Sequence, residues 1–283
     1  MRKETIGPCD LYLGDAANIL HYHLQRDGSY EPIDHLIMDP PYDEEAHKQY
    51  RPRRNKRGGA GDRQQLDFAS LDETMRRKTC AAAKRMVQGW LIAFCQTEQV
   101  SFWRDDIESE GLKYKSPMVW VKPDATPKMN GQGPAIGYES MVTAWCGSGY
   151  AKWNAGGKRG VYTHLTNSAT RGDYNVRDAK DQPVKHATEK PLLLMRELIT
   201  DFTEHGQLIL DPFAGSGTTG VAAVQLGRRC ILIEQNPLYF EMCCQRVTNA
   251  LKQVDMFIPP VKLNQDDMGF ARERVKRPEG SPA

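Results

Sequence analysis

Gln207-Leu208-Ile209-Leu210-Asp211-Pro212-Phe213-Ala214-Gly215-Ser216-Gly217-Thr218-Thr219-Gly220 reads as an apolar run, a tight glycine-rich turn and the start of an apolar helix. Glycines let a backbone approach a ligand closely, and the helix N-terminus behind them favours negative charge. Gly215, Gly217 and Gly220 spell Gly-x-Gly-x-x-Gly, and Glu234 closes the next apolar run, Cys230 to Ile233, about 20 residues later, the spacing of a dinucleotide fingerprint. An acid at that strand end accepts both hydroxyls of a ribose; an exposed strand-end acid is the plain alternative. A phosphate-binding loop is disfavoured, because Val221 follows Gly220 where that motif needs Lys and then Ser or Thr.

Outward from this turn, short apolar runs bounded by Gly, Pro or Asp read as strands: Asp10 to Leu13, His35 to Met38, Trp90 to Phe94, Pro117 to Val121 and Met141 to Trp145, besides Gln207 to Leu210 and Cys230 to Ile233. Helical periodicity covers Leu71 to Gln88, Lys190 to Glu204, Thr218 to Leu226 and Pro237 to Leu251, with Gly206 and Gly227 as stops. Strands alternating with helices predict a mostly parallel α/β sheet covered on both faces, with ligands at the carboxyl ends of its strands.

A second strand-end turn is Asp39-Pro40-Pro41-Tyr42. The prolines fix the backbone and remove two amide donors, leaving an acceptor-rich corner. Such a corner suits an amino group, with the Asp39 carboxylate and the Pro40 carbonyl each accepting one N–H and Tyr42 offering a ring for stacking. Taken alone, Asp-Pro-Pro is also an ordinary turn signal.

Length and composition set the frame. A chain of 283 residues is ample for a buried core, and a net charge of +2 leaves any nucleic-acid surface to be argued from local charge. The seven cysteines form no Cys-x-x-Cys pair and mostly sit in apolar runs, so zinc and disulfide readings are poor and no metal is expected. There is no charged-then-apolar leader and no apolar stretch near the roughly 20 residues a membrane span needs. The expectation is a cytoplasmic protein.

Three stretches break the alternation. Residues 43–65 carry Lys48, Arg51, Arg53, Arg54, Lys56, Arg57 and Arg63 around glycines; 147–185 are rich in Gly, Asn, Arg, Lys and aromatics; 259–283 are polar and proline-bounded, a flexible tail.

Taken together, these motifs resemble the β subgroup of S-adenosylmethionine-dependent amino DNA methyltransferases, in which Asp-Pro-Pro-Tyr precedes target recognition and the cofactor motif comes last. Gly14-Asp15, Glu234-Gln235-Asn236-Pro237 and His186-Ala187-Thr188-Glu189-Lys190-Pro191 extend the match, with Ala187 where the family usually has proline. The resemblance implies a Rossmann-like sheet, mostly parallel with one antiparallel strand, helices on both faces and a loop-rich insert. It divides the chain into a first part of the catalytic core (1–146, with the basic loop 43–65), a target-recognition insert (147–185), a second core part (186–258) and a tail (259–283).

By the same resemblance Asp15 faces the adenine of S-adenosyl-L-methionine and Glu234 its ribose, beside Gln235 and Asn236. Its methionine end falls to Asp211, Phe213, Ala214, Gly215, Ser216, Gly217, Thr218, Thr219 and Lys190, with His186 and Thr188 nearby. Asp39, Pro40, Pro41 and Tyr42 become the catalytic corner for the N6 amino group of an adenine extruded from double-stranded DNA. Arg51, Arg53, Arg54, Lys152, Lys158, Arg159, Arg171, Asn175 and Arg177 become DNA contacts, and two copies pair as a homodimer. N4 of cytosine, RNA as substrate, a nicotinamide-dependent oxidoreductase and a non-catalytic DNA-binding module remain as alternatives. Against the oxidoreductase, only one strand follows the glycine turn, whereas a full dinucleotide fold needs more.

Overall fold

A computed structural model describes residues 2–23, 25–26, 29–30, 32–41, 73–129, 133–166, 175–179, 181–183 and 189–253. In chain order the elements are β1 (Arg2–Ile6), β2 (Cys9–Leu13), α1 (Ala16–Asn18) running into a π-helical turn (Ile19–His23), β3 (Gln25–Arg26), β4 (Ser29–Tyr30) and β5 (His35–Met38). Next come α2 (Glu73–Met86), β6 (Trp90–Cys95), α3 (Val100–Ser109), β7 (Lys113–Tyr114), β8 (Met118–Val121), β9 (Tyr138–Trp145) and β10 (Val161–Thr163). The last are α4 (Leu192–Phe202), β11 (Leu208–Asp211), α5 (Thr218–Gln225), β12 (Arg229–Glu234) and α6 (Pro237–Lys252).

One 10-stranded sheet runs in the order β1-β2-β12-β11-β5-β6-β9-β8-β10, with β7 also on β9. Strands β2, β12, β11, β5 and β6 are mutually parallel. β9 lies antiparallel to β6 and β8, and the hairpin partner β1 adds a second reversed strand at the far edge. Every strand the sequence predicts is present.

Alternation along the central strands feeds two cores. Ile209 joins Leu232, Ile92, Leu198 and Val221 on the face covered by α4, α5 and α6, while Leu208 and Leu210 join Leu36, Met38, Cys80, Trp103 and Ile107 on the other. The connection from β5 leads toward β6 and that from β11 toward β12, so their shared boundary is where strand order reverses and a crevice opens at the carboxyl ends.

The sheet does not stop at the boundary expected at 147. Trp153 packs edge-on to Phe202 with ring centres 4.7 Å apart, β10 pairs with β8, and the buried Tyr162 hydroxyl donates to Asp201 Oδ2 at 2.9 Å. Aromatic bulk in a glycine-rich stretch is what anchors it; the tail at 259–283 lies outside the described residues.

Gly220 sits where α5 crosses β12. A Cβ there would meet Leu232 Cδ1 at 2.4 Å and Val247 Cγ2 at 3.0 Å. Gly220→Val is expected to lower stability by about 1–3 kcal/mol through overpacking, read as a drop in the urea midpoint with unchanged slope.

Candidate active site

Four strand ends, those of β2, β5, β11 and β12, meet at the crevice. The β5–β11 register pairs Leu36 with Leu210, so the chain leaving β5 at Asp39 runs alongside the turn leaving β11. On the other side of β11, Ala214 N donates to Ile233 O at 2.9 Å, and Gly14 N donates to Glu234 O at 2.9 Å. The Gly14-Asp15, Asp39 and glycine-turn motifs, far apart in sequence, therefore share one sheet edge.

The glycine turn is braced from within. Asp211 is buried, and its carboxylate accepts from Phe213 N at 3.0 Å and from Thr219 Oγ1 at 2.5 Å. Burial pushes its pKa up to about 7, partly opposed by those two bonds. Asp211, expected at the methionine end of a cofactor, thus also shapes the turn, each of its oxygens accepting one bond from within it. Ser216, Thr218 and Thr219 are also buried, with their hydroxyls engaged inside the chain. Gly217 caps α5 at φ 82°, and a Cβ on it would strike Cys243 Sγ at 2.5 Å, which explains glycine there twice over.

Glu234 ties the turn to the neighbouring strand. Its Oε2 accepts from Gly215 N at 2.8 Å and its Oε1 from Asn236 N at 2.7 Å. Burial raises its pKa while these backbone bonds oppose the rise. A carboxylate has roughly four lone-pair sites, so acceptor capacity remains for ribose hydroxyls. Asp15 accepts from Asn18 N at 2.9 Å as the N-cap of α1, and Asn236 accepts from Leu238 N at 2.9 Å as the N-cap of α6. Gln235 is exposed and Phe213 half-buried beside them.

The acceptor corner is held by charges that sequence reasoning did not assign to it. Lys190 Nζ lies 2.7 Å from Asp39 Oδ2 and 2.9 Å from Glu139 Oε1, and 4.9 Å from the centre of the Phe94 ring. Glu139 Oε2 in turn meets Lys122 Nζ at 2.6 Å. Asp39 Oδ1 is buried and accepts no hydrogen bond among the described residues. Burial pushes the Asp39 pKa up to about 6; Lys190 pulls it down and Glu139 adds to the rise. Burial alone would lower the Lys190 ammonium, but Asp39 and Glu139 more than offset that and hold it above the ordinary lysine value. Lys190, expected at the methionine end of a cofactor, has its ammonium engaged by these two carboxylates. Glu139 was missed because a single acid opening an apolar strand carries no spacing signal.

Among the expected DNA contacts, Lys152 and Arg159 are exposed. Lys158 is half-buried and pairs with Glu197 at 2.7 Å and also with Asp201. Asn175 is exposed and its backbone N donates to Gln245 Oε1, while Arg177 donates to Asp181 O at 2.7 Å. Tyr42, Arg51, Arg53, Arg54, Arg171, His186 and Thr188 lie outside the described residues. Among the described residues no cluster of His, Cys, Asp or Glu could hold a metal ion, and no helix is long and apolar enough to cross a membrane.

Comparison with known proteins follows the same lines. A family model described as DNA methylase matches residues 33–245. The chain is 29% identical over 150 residues to type II methyltransferase M2.DpnII of Streptococcus pneumoniae, covering 50% of this chain and 53% of that protein. It is 42% identical over 75 residues to DNA adenine methyltransferase YhdJ of Escherichia coli (strain K12), 26% of each. The chain thus spans about half the length, or less, of these curated relatives. The solved M1.HpyAVI-SAM complex superposes with TM-score 0.62 at 24% identity over 84% of this chain and 98% of that one. PvuII DNA methyltransferase, cytosine-N4-specific, superposes with TM-score 0.63 at 16% identity over 88% and 93%. These two likenesses show the fold.

The brace on the turn has a direct test. Thr219→Val removes the hydroxyl that satisfies buried Asp211 Oδ2 and is expected to lower stability by about 1–3 kcal/mol, with Thr219→Ser restoring most of it in chemical denaturation.

Proposed function

The chain belongs to the DNA methylase family, and we propose that it transfers a methyl group from S-adenosyl-L-methionine to the exocyclic N6 amino group of adenine in double-stranded DNA. The observation that carries this reading is the Asp39 carboxylate. Oδ2 is fixed by Lys190, while Oδ1 is a buried acceptor with no partner among the described residues, beside a glycine turn. An unmet buried acceptor is costly, and an amino N–H is what relieves it.

The residues present fit the cofactor. Glu234 retains acceptor capacity for a ribose, Asp15 stands one strand away for the adenine, and the α5 N-terminus behind the glycine turn suits the methionine carboxylate. S-adenosyl-L-methionine supplies an electrophilic methyl group carried on a sulfonium. The chain's own part is positioning. Asp39 Oδ1 and the Pro40 carbonyl accept the two amino hydrogens and localise a lone pair otherwise delocalised into the ring. Asp39 then stands ready to take the proton that the methylated nitrogen releases. Because the paired amino group is inaccessible in a duplex, the base is extruded, at a cost of a few kcal/mol, and Tyr42 stacks on its face.

Adenine is favoured over cytosine by the resemblance, since Asp at the head of this tetrapeptide is more typical of N6-adenine enzymes, and by one relative named DNA adenine methyltransferase. N4 of cytosine is the second reading, since it presents the same pair of N–H donors. For DNA, Lys152 and Arg159 are proposed as phosphate contacts, and Asn175 and Arg177, with Arg171, as base readers. Arg51, Arg53 and Arg54 are proposed to close over the duplex. Two copies are proposed to pair, which sedimentation reads directly.

Two expectations follow. Asp39→Ala keeps cofactor affinity within about threefold but lowers turnover by about 100-fold or more, measured by calorimetry and by methyl transfer to DNA. Substantial methylation by that variant would refute the role given to Asp39. Because Asp39 must be ionised to accept, the rate falls as pH drops through about 6. Lys190→Met removes the cation that lowers Asp39 and moves that acid limb to higher pH, whereas Glu139→Gln removes the anion that raises it and moves the limb to lower pH. Shifts of the same sign in both variants contradict the assignment.

A further inference from the structure

Glu189-Lys190-Pro191 connects the two halves of the site in a way neither motif announces. A residue preceding proline is confined to extended backbone, and consecutive side chains on extended chain point in opposite directions. The segment is non-helical, with Pro191 at φ −60° and ψ 131° capping α4. Lys190 accordingly reaches Asp39 and Glu139, while Glu189 Oε1 turns the other way and meets Arg246 Nη2 at 2.6 Å.

Arg246, on α6, is 1% exposed. Its Nη1 donates to Ser216 O at 3.0 Å, to Ser216 Oγ at 2.7 Å and to Thr218 Oγ1 at 3.1 Å, gripping the glycine turn from below. One planar guanidinium thus joins the turn to Glu189, and one peptide bond joins Glu189 to the lysine that fixes Asp39. A compact ammonium lacks the fork geometry to do both.

We propose that Arg246 and Glu189 are positioning residues that couple the glycine turn to the Asp39 corner, so that filling the turn and setting the amino acceptor are one event. This rests on the reading of Gly215 to Thr219 as the cofactor cradle. The coupling is reciprocal, so removing the Lys190 ammonium, the group the link holds in place, must change affinity at the turn, and must cease to do so once the link is cut.

The test is a thermodynamic cycle read by calorimetry with S-adenosylhomocysteine on the full chain. With the link intact, Lys190→Met is expected to weaken binding about fivefold or more, the low end of ordinary coupling factors. In a Glu189→Met, Arg246→Met background, which removes both members of the ion pair together and so spares the fold an unpaired ion, Lys190→Met is expected to change affinity by less than about twofold. Glu189→Gln, which keeps shape and an acceptor for Arg246, serves as a second background and is expected to give an intermediate factor. The same factor in all backgrounds, or none in any, overturns the coupling while leaving the cradle intact. Failure of the unaltered chain to bind S-adenosylhomocysteine overturns the coupling and the cradle reading together.

Discussion

The site depends on a buried ammonium held between two carboxylates. Lys190 sits within hydrogen-bond reach of Asp39 and Glu139, each of which would be expensive to bury alone, and Lys122 balances the second acid. Together Asp39 and Glu139 against Lys190 and Lys122 sum to zero charge. Such clusters are poor sources of stability, because desolvating several ions commonly cancels their attraction. What this one supplies is direction: with Oδ2 tethered, Asp39 keeps one oxygen without a partner among the described residues and one orientation in which to offer it.

The sheet topology is what makes that cluster possible. Asp39 leaves the carboxyl end of β5, and Phe94 lies on β6 beneath Lys190. Glu139 would belong to the opposite edge if β9 were parallel to its neighbours; because β9 is reversed, its first residues lie at the carboxyl edge, where Ser140 pairs with Cys95. The antiparallel strand delivers an acid to a place that parallel strands reach only with their last residues. The glycine turn comes from β11 next door, and the reversal of strand order between β5 and β11 leaves room between donor and acceptor sites.

Much of this was legible in the sequence because it is written in local signals. Asp211 to Thr219 and Asp39 to Pro41 are punctuated by Gly and Pro, whose backbone restrictions operate within a few residues, and every central strand is a continuous apolar run. Residues whose roles depend on distant partners were not legible. Glu139, Lys122 and Arg246 carry no spacing rule, and their meaning appears only when β9, β8 and α6 fold onto the crevice. The ion pairs of Lys158 were hidden for the same reason: a cation in a basic, glycine-rich stretch looks free until α4 brings Glu197 and Asp201 against it. The α3 helix escaped notice because Trp103, Asp106 and Ile107 make only a short apolar stripe on a largely polar segment.

The central claim, that the Asp39 corner presents an acceptor to a DNA amino group, is tested most directly by its product. The chain is incubated with methyl-labelled S-adenosyl-L-methionine and unmethylated genomic DNA, and the DNA is digested to nucleosides. Label in N6-methyladenosine of the deoxy series, absent with Asp39→Ala, is the predicted result. Label in N4-methylcytosine would move the site to the other amino base, and label on a ring carbon, or none at all under conditions where the cofactor binds, would contradict the account.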